Sequence, residues 1–307
     1  MAGIGSQASR LTKDFLLGSN GTTRMPKLVY GTAWKKERTA DLVYTALKAG
    51  FRGIDTAAQP KHYDEAGVGK GFRKAVSEGL VKRGDVFIQT KFTPPGGQNE
   101  FKPYSMDAPL DERVRQSLQS SLKNFTVEGE EPYLDSVVIH SPLDTIDESM
   151  IVWKTLESYH PHIIRNIGIS NVDIDTLEEI DELATVKPAV VQNNFHPRTG
   201  FAYEIRDFCR RNNAIYQSFW TYSGNHKLAD MKPTQIVAQG AGVDRVVAYY
   251  CLVLGLENVT ILDGTTNEDH MKTDLEGIEK VGLWAEGEGA ADWAKALEAF
   301  RKLIRDT

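Results

Sequence analysis

Apolar residues along this chain alternate between short, nearly unbroken runs and longer stretches in which they return every third or fourth position. The runs FRGIDT, VFIQTK, LDSVVIHS, IRNIGIS, AVVQNN, AIYQSF and NVTILD predict buried strands. Each is followed by a stretch of helical period. In ERTADLVYTALKAG the apolar positions Leu42, Val43, Ala46 and Leu47 fall on one stripe, and Gly50 offers a stop for such a helix. The same period predicts helices over DEAGVGKGFRKAVSEG, LDERVRQSLQSSLKNF, DESMIVWKTLESYH, VDIDTLEEIDELA, FAYEIRDFCRRN, DRVVAYYCLVLG and EDHMKTDLEGIEKV.

At the amino end, FLLGSNGTTRMPKLVYGTA predicts a small hairpin turned at Asn20 and Gly21, leading into a strand that ends near Gly31. Including that strand, the chain has about eight strand-helix units, the arithmetic of a (β/α)8 barrel. The expected fold class is therefore α/β, a (β/α)8 TIM barrel with an N-terminal β-hairpin and an extra C-terminal helix, with residues 1–307 as a single domain. An open doubly wound sheet would usually carry a glycine-rich turn after its first strand, and GTAWKK is not a G-x-G-x-x-G fingerprint. Three stretches interrupt the rhythm. Residues 93–110 and 219–233 read as long loops leaving the carboxyl ends of strands, where substrate pockets are commonly lined. The last, WAEGEGAADWAKALEAFRKLI, reads as an acidic turn followed by a terminal helix across the barrel wall.

Composition narrows the classes of partner. The formal net charge of −6 over 307 residues argues against a surface built for nucleic acid or anionic lipid. The two cysteines, Cys209 and Cys251, are too few for a disulfide scaffold and too far apart for a zinc knuckle, so no metal is expected. No apolar run has the length of a signal peptide or a membrane span, so the chain is expected to be cytoplasmic. A monomer or weak homodimer is expected.

Candidate chemistry lies at strand ends. Asp55, Lys91 and His140 stand at or just past the carboxyl ends of predicted strands, and Tyr63 lies in the loop after the first of these. In a parallel barrel those ends share one rim, which would gather an acid, a phenol, an ammonium and an imidazole in one pocket. Reversible hydride transfer to a carbonyl needs that combination. Tyr63 would donate the proton, Lys91 would lower its pKa, Asp55 would keep Lys91 charged, and His140 would hold the carbonyl oxygen. Lowering a phenol by two pKa units needs ~2.7 kcal/mol, and one charge 4 Å away at an effective dielectric near 20 supplies roughly 4 kcal/mol. Taken singly, each residue also has a structural explanation, as a cap, a packing residue or a solvated strand end.

The motifs GIDTA, HYDEAGVG, QTKF, HSP, GISN, QNNFHP and GTTN resemble, in order and spacing along nearly the whole chain, the aldo-keto reductase superfamily, in particular its aldehyde- and xylose-reductase-like, fungal-type members. The resemblance implies a (β/α)8 barrel, NADPH/NADP as cofactor with NADH as an alternative, a small-molecule carbonyl substrate, and the tetrad Asp55, Tyr63, Lys91 and His140. It also implies that Ser170, Asn171 and Gln192 hydrogen-bond the nicotinamide carboxamide and that Phe219 stacks on the ring, where the family usually has tyrosine. Gly264, Thr265, Thr266 and Asn267 would cradle a phosphate at a helix start. Many relatives have lysine where Gly264 stands and arginine where His270 stands. Lys272 is the one nearby replacement cation.

Trp34, His62, Trp220 and Tyr222 are the candidate substrate-binding residues, suited to an aromatic or aliphatic carbonyl, for instance in specialised metabolism. Two other functions share this sequence pattern. One is a Schiff-base lyase or aldolase with Lys91 as nucleophile. The other is a non-catalytic subunit that binds a nicotinamide cofactor.

Overall fold

A computed structural model describes residues 11–17 and 21–306 of the chain. Eight strands form a closed parallel barrel, in the order β10-β3-β4-β5-β6-β7-β8-β9, and β1 and β2 form a separate two-stranded sheet. The strands are β1 Phe15–Leu17, β2 Thr23–Met25, β3 Leu28–Gly31, β4 Gly53–Asp55, β5 Phe87–Phe92, β6 Ser136–Ile139, β7 Ile167–Ser170, β8 Val190–Asn194, β9 Ile215–Phe219 and β10 Val259–Asp263. The TIM barrel read from the sequence is thus the fold. Of the expected hairpin turn, Asn20 lies outside the described residues. The chain divides into two compact units, residues 16–17, 21–25 and 29–192 in one, and residues 11–15, 26–28 and 193–306 in the other.

In the first unit the barrel strands are buried on both faces, which is why they read as apolar runs rather than as alternating ones. The helices start where short polar side chains can take up their free N–H groups. Asp64 accepts from Gly67 N, Thr145 from Glu148 N and Asp173 from Thr176 N. Helix Thr39–Ala49 ends at Gly50, whose φ of 118° closes the last turn as expected. Helix Glu65–Ser77 approaches helix Leu110–Phe125 so closely that a Cβ at Gly69 would lie 2.1 Å from the Asn124 carbonyl oxygen.

In the second unit three helices depart from the sequence reading. Helix Lys232–Ala241 was not expected, although Pro233 in its first turn and Gly242 just past its end, at φ 61°, are the usual signs of a start and a stop. The preceding stretch, read as one loop, also contains a short helix, His226–Ala229. Helix Glu268–Glu286 runs through the residues read as the start of an acidic turn, which shrinks to Gly287–Gly289 before helix Ala290–Leu303. That terminal helix packs on helices Lys232–Ala241, Arg245–Leu254 and Glu268–Glu286, with Phe300 edge-on to Tyr249. Cys209 and Cys251 are buried in helices, and burial raises both thiols above their ordinary pKa. Among the described residues no single helix is long and apolar enough to cross a membrane.

Candidate active site

Strand register fixes where the polar residues of the first unit stand. Asp55 closes β4 and pairs with Gln89 of β5, while Lys91 lies two residues further along β5, opposite Val138 of β6. Residues two apart on a strand share a face, so Gln89 and Lys91 point together and Thr90 points the other way. Both reach Asp55. Lys91 Nζ lies 2.6 Å from Oδ2, and Gln89 Nε2 donates to Oδ1 at 2.7 Å. Gln192 of β8 also donates to Oδ1, at 3.0 Å. Lys91 gives a second N–H to the Thr56 carbonyl at 2.8 Å. Two of its three donors are therefore committed inside an enclosed site where the Lys91 and Asp55 side chains are 0% and 2% exposed.

Tyr63 enters from the loop before helix Glu65–Ser77. Its backbone N–H donates to the Gln59 carbonyl, and Asp64 caps the helix immediately after it. The Lys91 ammonium stands 5.2 Å from the centre of the Tyr63 ring, and His140 lies edge-on to that ring at 6.0 Å. The four residues therefore do gather. Their electrostatics differ from expectation in one respect. Burial, and then the Asp55 charge, hold the Tyr63 phenol well above its ordinary pKa instead of below it. The phenol is enclosed among low-dielectric neighbours, and the desolvation this would impose on a phenolate outweighs the pull of the Lys91 charge. Burial also lowers the Lys91 pKa, and Asp55 opposes that.

His140 follows β6 directly. Burial, then the charges of Lys91 and His62, push its pKa down to about 3, so the imidazole is neutral. Its Nδ1 is 2.7 Å from the Thr93 hydroxyl, and its backbone carbonyl accepts from Asn171 Nδ2 at 2.9 Å. Asn171, at φ 53°, also reaches the Ser170 hydroxyl at 3.1 Å, and that hydroxyl donates to the Gln192 carbonyl at 2.7 Å. Ser170 and Gln192 are partners in the β7–β8 register. The residues expected to hold a carboxamide thus form one hydrogen-bonded shelf beside His140. Gln192 serves Asp55 as well, which sequence reasoning did not anticipate.

Trp34 and His62 face each other with ring centres 4.0 Å apart, and the Trp34 N–H donates to the His62 carbonyl at 2.8 Å. Trp34 is 64% exposed and its backbone is left-handed at φ 64°. His62 Nδ1 is enclosed without a hydrogen-bond partner, and burial followed by the Lys61 charge lowers the His62 pKa.

Three further polar residues around this cluster escaped the sequence reading. Glu65 is enclosed and accepts from Thr90, from Ser121 at 2.9 Å and from Asn124 at 3.0 Å, tying the Tyr63 helix to β5 and to helix Leu110–Phe125. Burial raises its pKa, with the hydrogen bonds opposing. Gln89 and Thr93 carried a faint signal, being two residues either side of Lys91 and so on its face of the strand.

The remaining candidates belong to the second unit. Phe219 ends β9 and meets Trp220 edge-on at 5.4 Å, while Tyr222 packs on His226 at 4.5 Å. After β10, two of the four backbone N–H groups expected to cradle an anion, those of Thr265 and Asn267, already donate within the chain. Thr265 N donates to Asp263 Oδ1, Asn267 N to the Thr265 hydroxyl, and Asp269 N and His270 N to Asn267 Oδ1. Gly264, Thr266 and His270 are exposed. Lys272 is paired with Glu268 at 2.9 Å. Among the described residues no group of three or more His, Cys, Asp or Glu side chains could hold a metal ion.

Residues 18–219 match the sequence profile of the aldo/keto reductase family. The chain is 29% identical to the NAD(P)H-dependent D-xylose reductase of Pachysolen tannophilus over 61% of its own length and 60% of that protein's, so it spans under two thirds of that relative. It is 30% identical to the glyoxal reductase of Bacillus subtilis (strain 168), over 78% of this chain and 84% of the other. A similar solved structure is a Bombyx mori aldo-keto reductase in complex with NADP, with TM-score 0.66 and 19% identity over 87% of this chain and 91% of that one.

Proposed function

The chain belongs to the aldo/keto reductase family, and from that premise we propose that it transfers hydride reversibly between a nicotinamide dinucleotide and a small aldehyde or ketone. In this reading Tyr63 donates the proton in reduction, Lys91 and Asp55 hold the charge beside it, and His140 orients the carbonyl. The observation that carries it is the enclosed cluster in which Lys91 is 2.6 Å from Asp55 and 5.2 Å from the Tyr63 ring.

The protonation states suit the chemistry. A phenol raised by burial is fully protonated at neutral pH, as a general acid must be before it acts. A neutral imidazole can donate to a carbonyl oxygen without adding a second cation beside Lys91. As Tyr63 gives up its proton, the growing phenolate charge is met by the nearby ammonium, which lowers the cost in a site with little water. In the reverse direction the same tyrosine accepts the proton.

A bound nicotinamide dinucleotide supplies the hydride. Ser170, Asn171 and Gln192 would hold its carboxamide. The Ser170 hydroxyl and the Asn171 amide adjoin, hydrogen-bonded to each other, and hydroxyl and amide side chains are of the chemistry that pairs with an amide. Phe219 would give the ring an aromatic face. The segment 264–272 fits a 2′-phosphate less well, because Glu268 and Asp269 are acidic and Glu268 engages Lys272. Use of NADH as well as NADPH is consistent with that segment, and the xylose reductase relative is itself named NAD(P)H-dependent.

The Schiff-base alternative asks Lys91 to act as a free, neutral amine. Its two hydrogen bonds, one of them to a carboxylate, favour the charged and anchored form instead.

The test is Tyr63→Phe, assayed with a panel of carbonyl compounds by loss of reduced nicotinamide absorbance and with NADPH and NADH by protein fluorescence. The expected result is loss of turnover with cofactor binding kept. Near-normal turnover by the variant would sink the mechanism, and a wild-type protein that binds neither dinucleotide would sink the function.

A further inference from the structure

Thr93 is the first residue after β5, is 1% exposed, and has its hydroxyl 2.7 Å from His140 Nδ1. We propose that Thr93 is a positioning residue that holds His140 in the tautomer with its proton on Nε2, so that the ring edge away from Thr93 is a hydrogen-bond donor. This rests on the carbonyl-reductase reading of the site and adds the residue that determines what His140 can do there.

A neutral imidazole has one donor nitrogen and one acceptor nitrogen, and the partner of one decides the character of the other. His140 is kept neutral by its enclosure and by the Lys91 charge. Between Thr93 and Nδ1 two arrangements exist. If the hydroxyl donates, Nδ1 is the acceptor and the ring proton sits on Nε2. If Nδ1–H donates, the Thr93 hydroxyl hydrogen needs another acceptor.

Among the described residues the Thr93 hydroxyl has no hydrogen-bond partner other than His140. The second arrangement would therefore strand a donor in an enclosed site, the costlier of the two outcomes. Other contacts hold the threonine in this pose. Its carbonyl accepts from the Tyr104 hydroxyl at 2.8 Å, and its methyl is pressed against Gly97, where an added Cβ would lie 2.7 Å from Thr93 Cγ2. A β-branched side chain fixed at χ1 in this way aims its hydroxyl in one direction.

The experiment uses the whole protein with 15N-labelled histidine, without cofactor or substrate, and reads the protonation of both His140 ring nitrogens by NMR. The His140 signals are identified by their loss in His140→Asn. The expected wild-type result is a protonated Nε2 and an unprotonated Nδ1. Thr93→Val, which keeps the shape and removes the hydroxyl, should move the population toward the Nδ1–H form and reduce kcat for carbonyl reduction roughly tenfold or more, with NAD(P)H affinity unchanged. Thr93→Ser should restore both the tautomer and most of the rate.

A wild-type His140 carrying its proton on Nδ1 overturns the proposal by itself, even if valine at position 93 prevents folding. A Thr93→Val protein that retains the Nε2 proton overturns it whatever its rate. Because the ring nitrogens are read without substrate, the outcome is independent of the Tyr63→Phe test. Turnover surviving in that variant would remove the reductase mechanism and leave the tautomer assignment standing.

Discussion

The Lys91 ammonium meets the Asp55 carboxylate at 2.6 Å with the two side chains 0% and 2% exposed, and Gln89 and Gln192 both donate to the other oxygen of that carboxylate. An ion pair this enclosed is maintained by mutual neutralisation, because either charge alone would have to be desolvated without compensation. It also shapes the pocket. Burial, and then the Asp55 charge, keep the phenol of Tyr63 protonated in the free protein.

Removing one partner should therefore cost stability as well as activity. Lys91→Met is expected to lower unfolding stability by about 3–5 kcal/mol, because Asp55 is left buried and unpaired. The double variant Asp55→Asn/Lys91→Met should recover a measurable part of that loss while remaining inactive. Urea unfolding of the wild type and both variants is the check. A double variant no more stable than the single one would refute the account of the pair.

His140 predicts a particular response to acid. Its folded-state pKa of about 3 lies below the ordinary histidine value, so the unfolded chain binds more protons than the folded one between those values. This group therefore makes stability fall as pH drops from about 6.5 toward 3, by up to ~1.4 kcal/mol per pH unit. In His140→Gln the acid limb of the melting temperature against pH should be shallower. An unchanged limb would show that the ring already ionises in the folded protein.

Asp274 predicts the opposite slope. Burial, then the neighbouring Asp263 carboxylate, raise its pKa to about 8, and a side-chain hydrogen bond joins the two. Here the folded state binds more protons than the unfolded one, so stability falls as pH rises from about 4 to 8. Asp274→Asn keeps a donor toward Asp263 without the ionisation. Its melting temperature should exceed that of the wild type at pH 8 and above, with the gap closing at acid pH. A gap that stays constant from pH 5 to 9 would contradict this origin.

Glu65 should behave as a packed acceptor. Thr90, Ser121 and Asn124 all donate to it, so the Nε2 of a glutamine would face at least one donor. Glu65→Gln is expected to cost about 1–3 kcal/mol, seen as a lower urea midpoint, and to reduce kcat because the helix that follows Tyr63 loses its tie to β5. A variant as stable as the wild type would mean that these hydrogen bonds are freely exchanged for others.

The chain's own pattern determined the barrel. Strands buried on both faces read as apolar runs, helices as stripes, and both signals are local, as are the caps at Asp64 and Asp173 and the stop at Gly50. Helix Lys232–Ala241 carries local signs as well, Pro233 in its first turn and Gly242 just past its end. The four residues of the candidate site could be picked out because their types and strand-end positions belong to one chemistry.

What only the tertiary structure decided were the partners of each group. That Gln192 serves Asp55 across 137 positions, that Glu65 binds Ser121 across 56, and that Thr93 meets His140 across 47 depends on strand register and helix packing. The electrostatics follow from the same source. Whether the Lys91 charge or burial decides the Tyr63 pKa is a question of ångströms and enclosure, and neither is written in the order of residues.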